Sequence, residues 1–466
     1  MAKNKKSNNF RLTSDSMGEI KVPLNAFYGA QTQRAVNNFP ISNITFNYDF
    51  INAVIIIKRS AAIVNNRLEL LNKVKSKAIV KACDKLLKDK PNNQFPVDIF
   101  QTGSGTSTNM NVNEVLATIA NTFVSNKKNS IHPNDDVNMG QSSNDVIPTA
   151  IHISSLIAVE QKLIPALKKL ELNLNKKSKE FNNTLKIGRT HLQDATPMTL
   201  GQEFSGYQSI IENSLSQINQ TKKLLSKLAQ GGTAVGTGIN THKKFGLLIA
   251  KEVSSFSNIK FSKTRNHFEA QSSQSGAVAF SGSLKTLAVG LNKIANDIRW
   301  LSSGPRSGLG ELTIPAVQPG SSIMPGKVNP VICESVIQVC AQVIANDTAI
   351  NLGGLGGVFE LNLMLPLIAH NMLFSINILS NSINIFVDKL LVDIQANTDK
   401  CEGYIEGSLA MCTSLVPEIG YDKAAQIAYE AFNTNKTIKQ VLKDNKVLSD
   451  KKIDDLLNPK LMIKPK

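Results

Sequence analysis

One run of apolar residues restricts the fold of this chain more than any other feature. The residues recur at alternating spacings of four and three, which places all of them along a single stripe of one helix. A helix with so long a stripe must bury it against other helices. The pattern predicts a long helix within a bundle, and its members are Phe280, Leu284, Leu287, Leu291, Ile294, Ile298 and Leu301.

Three further stretches show the same rhythm. Pro165 falls inside the first, and because the apolar spacing continues beyond it, we expect a bent helix rather than a helix end. Aromatic residues make up only 6% of the chain, and the central segments lack the alternation typical of strands, so an all-α fold is predicted. The three stripes are Leu156, Leu163, Leu167, Leu170 and Leu174; Ile211, Ile218 and Leu225; and Ile332, Val336, Val339 and Val343.

The composition excludes several classes of protein. A hydrophobic content of 42% with 19% charged residues is ordinary for a soluble globular protein of this length. No apolar run approaches the 18 or so residues of a membrane span, and the opening MAKNKKSNNF lacks the apolar segment of a signal peptide. We therefore expect a cytoplasmic protein without a membrane partner.

The cysteines and the net charge indicate which metal sites, disulfides and ligands to expect. The five cysteines form no CxxC pair, which argues against a zinc site and a disulfide framework. The formal charge of +16 comes from dispersed lysines without interleaved aromatic residues. This pattern favours attraction of small anions over binding of nucleic acid.

The loop GSSIMPGKVNP, from Gly320 to Pro330, carries the densest set of chemically active groups. Adjacent serines offer hydroxyls, Lys327 a positive charge and Asn329 an amide, while the glycines let backbone NH groups approach an anion. A nucleotide-binding P-loop is excluded, because the spacing of its glycines differs and Val328 follows the lysine where that motif needs Ser or Thr. The loop predicts a carboxylate-binding, proton-moving site.

Three other stretches are equally rich in hydroxyls, amides and glycine. They are TGSGTSTNMNVNE (102–114), HPNDDVNMGQSSND (132–145) and GRTHLQDATPMTLGQE (188–203). With YGAQTQRA (28–35) and FELN (359–362), these stretches and the loop resemble the fumarase and aspartase superfamily over nearly the whole chain. His191 in THLQDA, SSND and GKVNP make the chain most similar to class II fumarases.

The resemblance implies an all-α, three-domain fold with a central bundle of long helices. The expected domains are an N-terminal domain (1–142), the bundle (143–361) and a small C-terminal helical domain (362–466). The resemblance also implies a homotetramer whose active sites are shared between subunits, with no metal and no organic cofactor.

The implied reaction is the reversible hydration of fumarate to L-malate, a step of the tricarboxylic acid cycle. By resemblance, Ser321 removes the proton from carbon, Lys327 and Asn329 hold the carboxylate whose charge grows, and His191 handles the proton of the departing hydroxyl. Glu334 would orient His191, although an acid in the first turn of a helix is favoured in any case. The further substrate-binding residues implied are Ser104, Gly105, Thr106, Ser142, Ser143, Asn144, Thr190, Ser322 and Val328.

A second, noncatalytic dicarboxylate site is common in such enzymes and would use His132, Pro133, Asn134 and Asp135. The arginine expected three residues before the histidine is replaced by Asn129, so this site is in doubt. His132 with the neighbouring acids has no second histidine at ligand spacing, which favours a turn or helix-capping role over a metal.

Two alternative functions remain open from the sequence. The first is an aspartate ammonia-lyase or another fumarate-releasing lyase of the superfamily, against which His191 argues. The second is a scaffold or nucleic-acid-binding protein that has kept the fold and lost catalysis, against which the intact Ser321, Lys327 and Asn329 argue.

Overall fold

The computed structural model describes residues 9–91 and 93–465. Helices dominate the described residues, and each strand belongs to a two-stranded sheet. The all-α fold class is therefore confirmed, with small sheets added between helices. The expectation for the basic opening concerns mainly residues 1–8, which lie outside the described residues.

The α-helices account for most of the described residues. Helices α5 and α6 are joined by a π-helical turn, Val159–Leu163. In order, the helices are α1 (Ala30–Asn38), α2 (Tyr48–Arg67), α3 (Lys73–Asp89), α4 (Thr106–Asn121), α5 (Ser143–Ala158), α6 (Ile164–Glu180), α7 (Leu200–Thr221), α8 (Phe245–Ser257), α9 (His267–Ser272), α10 (Ser275–Leu301), α11 (Val331–Gly354), α12 (Leu365–Phe386), α13 (Thr398–Gly407), α14 (Val416–Ile419), α15 (Tyr421–Thr434), α16 (Ile438–Asp444) and α17 (Asp450–Leu456).

The strands are short and pair mostly as antiparallel neighbours. The pairs are β1 (Phe10–Asp15) with β2 (Gly18–Pro23), β3 (Leu185–Thr190) with β4 (Gln193–Thr199), β5 (Lys227–Leu228) with β6 (Ser262–Lys263), β7 (Leu312–Thr313) with β10 (Gln395–Ala396), and β8 (Gly357–Val358) with β9 (Leu361–Asn362). Only the pair β5 and β6 is parallel among them.

The chain divides into two compact units. The first comprises Met1–Ile164, Ser216–Thr286 and Ala341–Leu379, and the second comprises Pro165–Leu215, Leu287–Cys340 and Ser380–Lys466. The division into three domains stays a prediction.

Helix α2 forms the centre of the first unit. The Asn47 side chain accepts a hydrogen bond from the Phe50 backbone NH and so fixes the start of the helix. Its run VIIIKRSAA is apolar almost all round, because the helix packs against α3, α5 and α8 on different sides. A helix covered on several sides leaves little solvent-facing surface. Arg59 in that run is partly exposed, whereas the neighbouring Lys58 is fully buried, which is unusual for a lysine.

The second unit has a core of its own at the C-terminal end of the chain. Leu415, Val441 and Ile453 are fully buried there. Leu185 and Ile187 of strand β3 belong to the same cluster. The hairpin β3–β4 is therefore held at its base by apolar burial against the C-terminal helices.

The long stripe that predicted a bundle helix is confirmed. All seven residues lie on α10, six of them fully buried and Leu301 nearly so. Gly290 on this helix marks a close approach to α7, because a Cβ there would come within 2.4 Å of Cγ2 of Ile210. A larger residue at this position would force the Ile210 side chain, or α7 itself, to move.

The other stripes are confirmed with two corrections. Leu225 lies in a short 3-10 helix after α7 rather than on it. On α11 the buried side chains include Cys333, Val336, Cys340 and Val343, whereas Ile332 and Val339 are only half-buried. The sequence pattern missed the cysteines because it counted only aliphatic residues, although buried thiols behave as small apolar groups.

The region around Pro165 behaves as expected. Helical backbone continues through the proline, and the π-helical turn that precedes it marks a local irregularity. The combined stretch Ser143–Glu180 is long and apolar enough to cross a membrane by length and composition alone, but 67% of its most apolar window is buried inside the fold. That burial is typical of a core helix.

We expect Leu287→Ala to lower the free energy of unfolding by about 3 kcal/mol, because the change leaves a cavity in the closely packed stripe. Leu172→Ala on α6 is the control, since 54% of that side chain is exposed and a loss below about 0.5 kcal/mol is expected. Urea unfolding at one fixed protein concentration measures both. Equal losses for the two variants would contradict the assignment of the buried stripe.

Candidate active site

The loop before α4 brings two hydroxyl groups together. Gly103 lies against the chain at Leu363, where a Cβ would come within 2.0 Å of the backbone oxygen. Gly105 adopts a left-handed conformation with φ of 73° and precedes the first residue of α4. This turn sets the hydroxyl oxygens of Ser104 and Thr106 at 2.8 Å from each other. One hydroxyl donates to the other, so the second keeps its proton for an anion at a helix N-terminus, a position that favours negative charge.

The segment from Ser142 to Asp145 forms the start of α5. Ser142 and Asp145 make a capping box, in which the Asp145 carboxylate accepts a hydrogen bond from the Ser142 NH at 2.9 Å. The same carboxylate accepts bonds from the Gly231 and Thr233 NH groups, at 2.9 and 3.0 Å. Burial raises the pKa of Asp145 to about 6, although the three NH groups act in the opposite direction. One buried carboxylate thus joins two loops.

These loops enclose a cavity of about 690 Å³ in the first unit. Four of the predicted substrate-binding residues line the cavity: Thr106, Ser142, Ser143 and Asn144. Ser104 does not line it but is hydrogen-bonded to Thr106. The Asn144 amide also donates to the Ala234 carbonyl oxygen at 2.8 Å. The structure therefore brings together three segments that are far apart in the sequence.

Several residues that line this cavity were not predicted from the sequence. Asn138 and Gln141 belong to one of the recognised polar stretches, but nothing in the sequence distinguishes them from turn residues. The loop GGTAVGTG (231–238) contributes none of the predicted site residues. The added lining residues include Asn109, Asn138, Gln141, Thr233 and Asn240.

The turn that begins with His132 borders the same cavity through Asn134 and Asp135. The His132 ring nitrogen accepts a hydrogen bond from the Asp135 NH and lies 3.2 Å from its carboxylate. This arrangement confirms the capping role. Asn129 ends the 3-10 turn Lys127–Asn129, and the second dicarboxylate site stays a prediction.

Thr190 and His191 lie at the tip of the hairpin β3–β4, in the second unit. Thr190 pairs with Gln193, so His191 and Leu192 form a two-residue turn. Their φ angles are 56° and 60°, the left-handed geometry that tight hairpins require and that bulky residues rarely adopt. The turn exposes the His191 imidazole. Backbone strain of this kind is found most often at functional sites.

A cluster of buried charges fixes the hairpin on the side facing the protein interior. Glu311 is fully buried and receives two parallel hydrogen bonds from the Arg189 guanidinium, at 2.9 and 3.0 Å. The buried Lys186 ammonium lies 2.8 Å from Glu203 and 3.2 Å from Glu311. Since Arg189 precedes the tip by two residues, these contacts determine where His191 is presented.

The loop from Gly320 to Pro330 closes on itself at its base. The Gly320 NH donates to the Lys327 carbonyl oxygen at 2.9 Å, and the Asn329 amide donates to the Gly320 carbonyl oxygen. A Cβ on Gly320 would lie 2.2 Å from that lysine oxygen, so only glycine fits. The side chains of Ser322, Lys327 and Val328 are exposed.

Ser321 has a distinctive environment within this loop. Its hydroxyl oxygen accepts hydrogen bonds from the backbone NH groups of Met324, at 3.0 Å, and Ile323, at 3.3 Å. Two donors directed at one hydroxyl oxygen favour its negatively charged form. The arrangement suits a serine that acts as a base.

Glu334 lies in the first turn of α11 and is exposed. Among the described residues of one chain, no hydrogen bond or ion pair joins it to His191. The two side chains of the predicted pair are therefore not in contact within one chain. The described residues also contain no group of three or more His, Cys, Asp or Glu side chains arranged to hold a metal ion.

Comparison with known proteins gives consistent matches over the whole chain. Residues 18–345 match the family described as Lyase, and residues 411–464 match the family described as Fumarase C C-terminus. A class II fumarate hydratase of Helicobacter pylori is 48% identical over 460 residues, covering 98% of this chain and 99% of the relative. One of Bacillus subtilis is 45% identical over 459 residues, with the same coverage of both chains.

Solved structures agree with these matches. The class II fumarase of Schistosoma mansoni superimposes with a TM-score of 0.94 at 39% identity, covering 97% of this chain and 99% of the other. A fumarate lyase:delta crystallin protein of Brucella melitensis bound to cobalt gives 0.92 at 42% identity, covering 98% and 100%.

Replacement of Glu311 tests the buried charges behind the hairpin. We expect Glu311→Gln to lower the free energy of unfolding by about 3 to 5 kcal/mol, because it leaves Arg189 and Lys186 without their shared counter-ion. Chemical denaturation and kcat should both respond, since His191 loses its fixed position. The control is Asp444→Asn, which removes an exposed ion pair with Lys436 and should change neither quantity appreciably. Unchanged stability in Glu311→Gln would show that the cluster is dispensable.

Proposed function

The chain belongs to the class II fumarate hydratase family, and we propose how its own residues carry out the reaction. It is a hydro-lyase that adds water to fumarate and gives L-malate, reversibly. Ser321, His191 and Lys327 are the proposed catalytic residues. The observation that carries the proposal is the pair of backbone NH groups directed at the Ser321 hydroxyl oxygen.

In the dehydration direction, Ser321 removes a proton from the malate carbon next to a carboxylate. The electron pair left on carbon spreads into that carboxylate, which becomes doubly negative. Because this charge develops during the reaction, donors fixed beforehand lower the barrier most. The Met324 and Ile323 NH groups stabilise the serine oxygen before it receives the proton, and Lys327 supplies the positive charge near the carboxylate.

His191 completes the reaction at the other carbon. It donates a proton to the departing hydroxyl, which leaves as water as the double bond of fumarate forms. Imidazole is suited to proton exchange near neutral pH, and the exposed hairpin tip leaves the ring accessible to substrate. Glu334 is the proposed partner that stabilises the protonated ring.

The substrate carboxylates are held by two groups of donors. Ser104, Thr106, Ser142, Ser143 and Asn144 lie around the cavity of the first unit. Thr190, Ser322 and the backbone at Val328 would add to them from the hairpin and the loop. Asn329 donates one amide hydrogen to the Gly320 carbonyl oxygen, and its second amide hydrogen would donate to the substrate carboxylate.

The enzyme is proposed to be a cytoplasmic homotetramer with active sites shared between subunits. The absence of a His191 to Glu334 contact within the described residues of one chain supports this arrangement. So do large apolar side chains exposed on the long helices, among them Val289 at 57% on α10 and Leu352 at 57% on α11. A role in the tricarboxylic acid cycle follows from the reaction.

A substrate panel tests the assigned reaction. Purified protein should form fumarate from L-malate, and aspartate and argininosuccinate should give none, as followed by fumarate absorbance. Ser321→Ala should lower kcat at least about 100-fold, because general base catalysis is lost. Ser414→Ala removes a serine hydroxyl that bonds to the Met411 carbonyl and should leave kcat unchanged. Full activity in Ser321→Ala would rule out its role as base.

Mixed oligomers test whether the site is shared. Ser321→Ala and His191→Asn chains with different tags are co-expressed, and assemblies that carry both tags are purified. If Ser321 and His191 of one site come from different subunits, activity should return to about a quarter of wild type, the chance of drawing both intact residues. If both come from the same subunit, the mixed assemblies stay as inactive as either parent.

A further inference from the structure

Lys58 lies behind the cavity of the first unit, in the apolar run of α2. Its side chain is fully buried. The ammonium donates to the Asn138 side-chain oxygen at 2.8 Å and to the Gln141 side-chain oxygen at 3.1 Å. Both amides line the cavity. The lysine therefore sits one layer of side chains away from the space that a substrate carboxylate would occupy.

The charge of Lys58 has no close counter-ion. The described residues include two other buried lysines, and both have carboxylate partners: Lys186 pairs with Glu203 and Glu311, and Lys177 with Glu180. Lys58 hydrogen-bonds only to neutral amide oxygens among the described residues. A buried ammonium without a carboxylate is costly unless something else supplies negative charge.

Two titratable groups face Lys58 from the helices packed against α2. Asp145 on α5 attracts it electrostatically, and the buried Cys83 on α3 is the other. Burial lowers the pKa of Lys58 to about 7, and Asp145 opposes that shift only in part. The Asp145 oxygens are already engaged by three backbone NH groups.

A chain of hydrogen bonds leads from Lys58 to a substrate-binding hydroxyl. Asn138, held by Lys58, also accepts from the Asn109 amide at 3.3 Å. That amide donates in turn to the Ser143 hydroxyl oxygen at 3.1 Å. A hydroxyl oxygen that accepts from Asn109 keeps its own proton free to donate into the cavity. Lys58 thus supports the orientation in which Ser143 presents a donor to an anion.

We propose that Lys58 is a positioning residue for dicarboxylate binding: its ammonium orients Ser143 through Asn138 and Asn109, and a bound carboxylate supplies the negative charge that the side chains hydrogen-bonded to Lys58 do not. The inference rests on the proposed role of this cavity in binding substrate. Lys58 does not touch the substrate. It acts through the amides between them and through the positive potential that it places beneath the cavity.

Binding of succinate, a dicarboxylate that cannot be hydrated, tests the proposal. Isothermal titration calorimetry should show a loss of affinity of about 10- to 100-fold in Lys58→Met, because a buried charge facing the anion is removed. KM for malate should rise by a similar factor with a smaller change in kcat. The matched control is Lys177→Met, which removes a buried ammonium bonded to the Ile394 carbonyl and should bind succinate as wild type does.

Proton uptake gives a readout that a purely structural role would not affect. In the free enzyme at pH 8, Lys58 is mostly neutral because that pH lies above its pKa of about 7. A bound dianion favours the charged form, so wild type should take up a fraction of a proton with succinate, and its affinity should fall as the pH rises above 7. Titrations in buffers of different ionisation enthalpy measure this uptake, which should be smaller in Lys58→Met.

The variants separate the possible failures. Weaker succinate binding in Ser143→Ala with wild-type affinity and proton uptake in Lys58→Met would overturn the role of Lys58 alone. Wild-type affinity in Ser143→Ala would overturn the assignment of the cavity and, with it, this inference. If Lys58→Met does not fold, Lys58→Gln, which keeps a donor without the charge, replaces it. The proton uptake of the wild type needs no variant, and its absence contradicts the proposal.

Discussion

Buried carboxylates fix the backbone of the loops that carry the proposed site residues. Asp145 accepts hydrogen bonds from NH groups of its own helix start and of the loop at Gly231 and Thr233. Glu311 fixes the hairpin β3–β4 through ion pairs with the side chains of Arg189 and Lys186. Helices that bury apolar stripes are rigid, but they carry few reactive groups. The chemistry lies on loops, and a loop can present a side chain accurately only when its backbone is fixed from inside.

The two proposed proton-transfer groups are presented in different ways. His191 occupies a strained two-residue turn whose base is anchored by apolar burial and by Glu311. Ser321 lies in an exposed loop that closes through its own backbone at Gly320 and Lys327. The first arrangement fixes the direction of a ring. The second keeps a serine oxygen between two NH donors while the rest of the loop stays accessible, which suits a group that meets its substrate from solvent.

The sequence predicts the helical stripe of α10 and the polar stretches because each is a local pattern. It does not predict the hairpin at His191, since a His-Leu pair is a poor former of the left-handed turn that the structure shows there. The sequence does not predict the burial of Lys58 either. In a sequence, one lysine within a helical run reads as a residue that extends to solvent. Its burial depends on how α3, α5 and α8 surround α2, which is a tertiary property.

Lys58 also links stability to function. Replacing a buried ion by an apolar side chain of similar size often leaves a protein as stable or makes it more stable. On that basis the Lys58 ammonium adds little to the folding stability of the free enzyme. The two amide oxygens compensate only part of the hydration that the ammonium loses on burial. The missing compensation is negative charge, and in the proposed binding mode a dicarboxylate brings it into the cavity that those amides line. Keeping an ammonium buried at Lys58 is unfavourable in the free enzyme, and an anion in the cavity offsets this unfavourable free energy. The offset strengthens binding of the anion, and a neutral ligand of the same shape would not provide it.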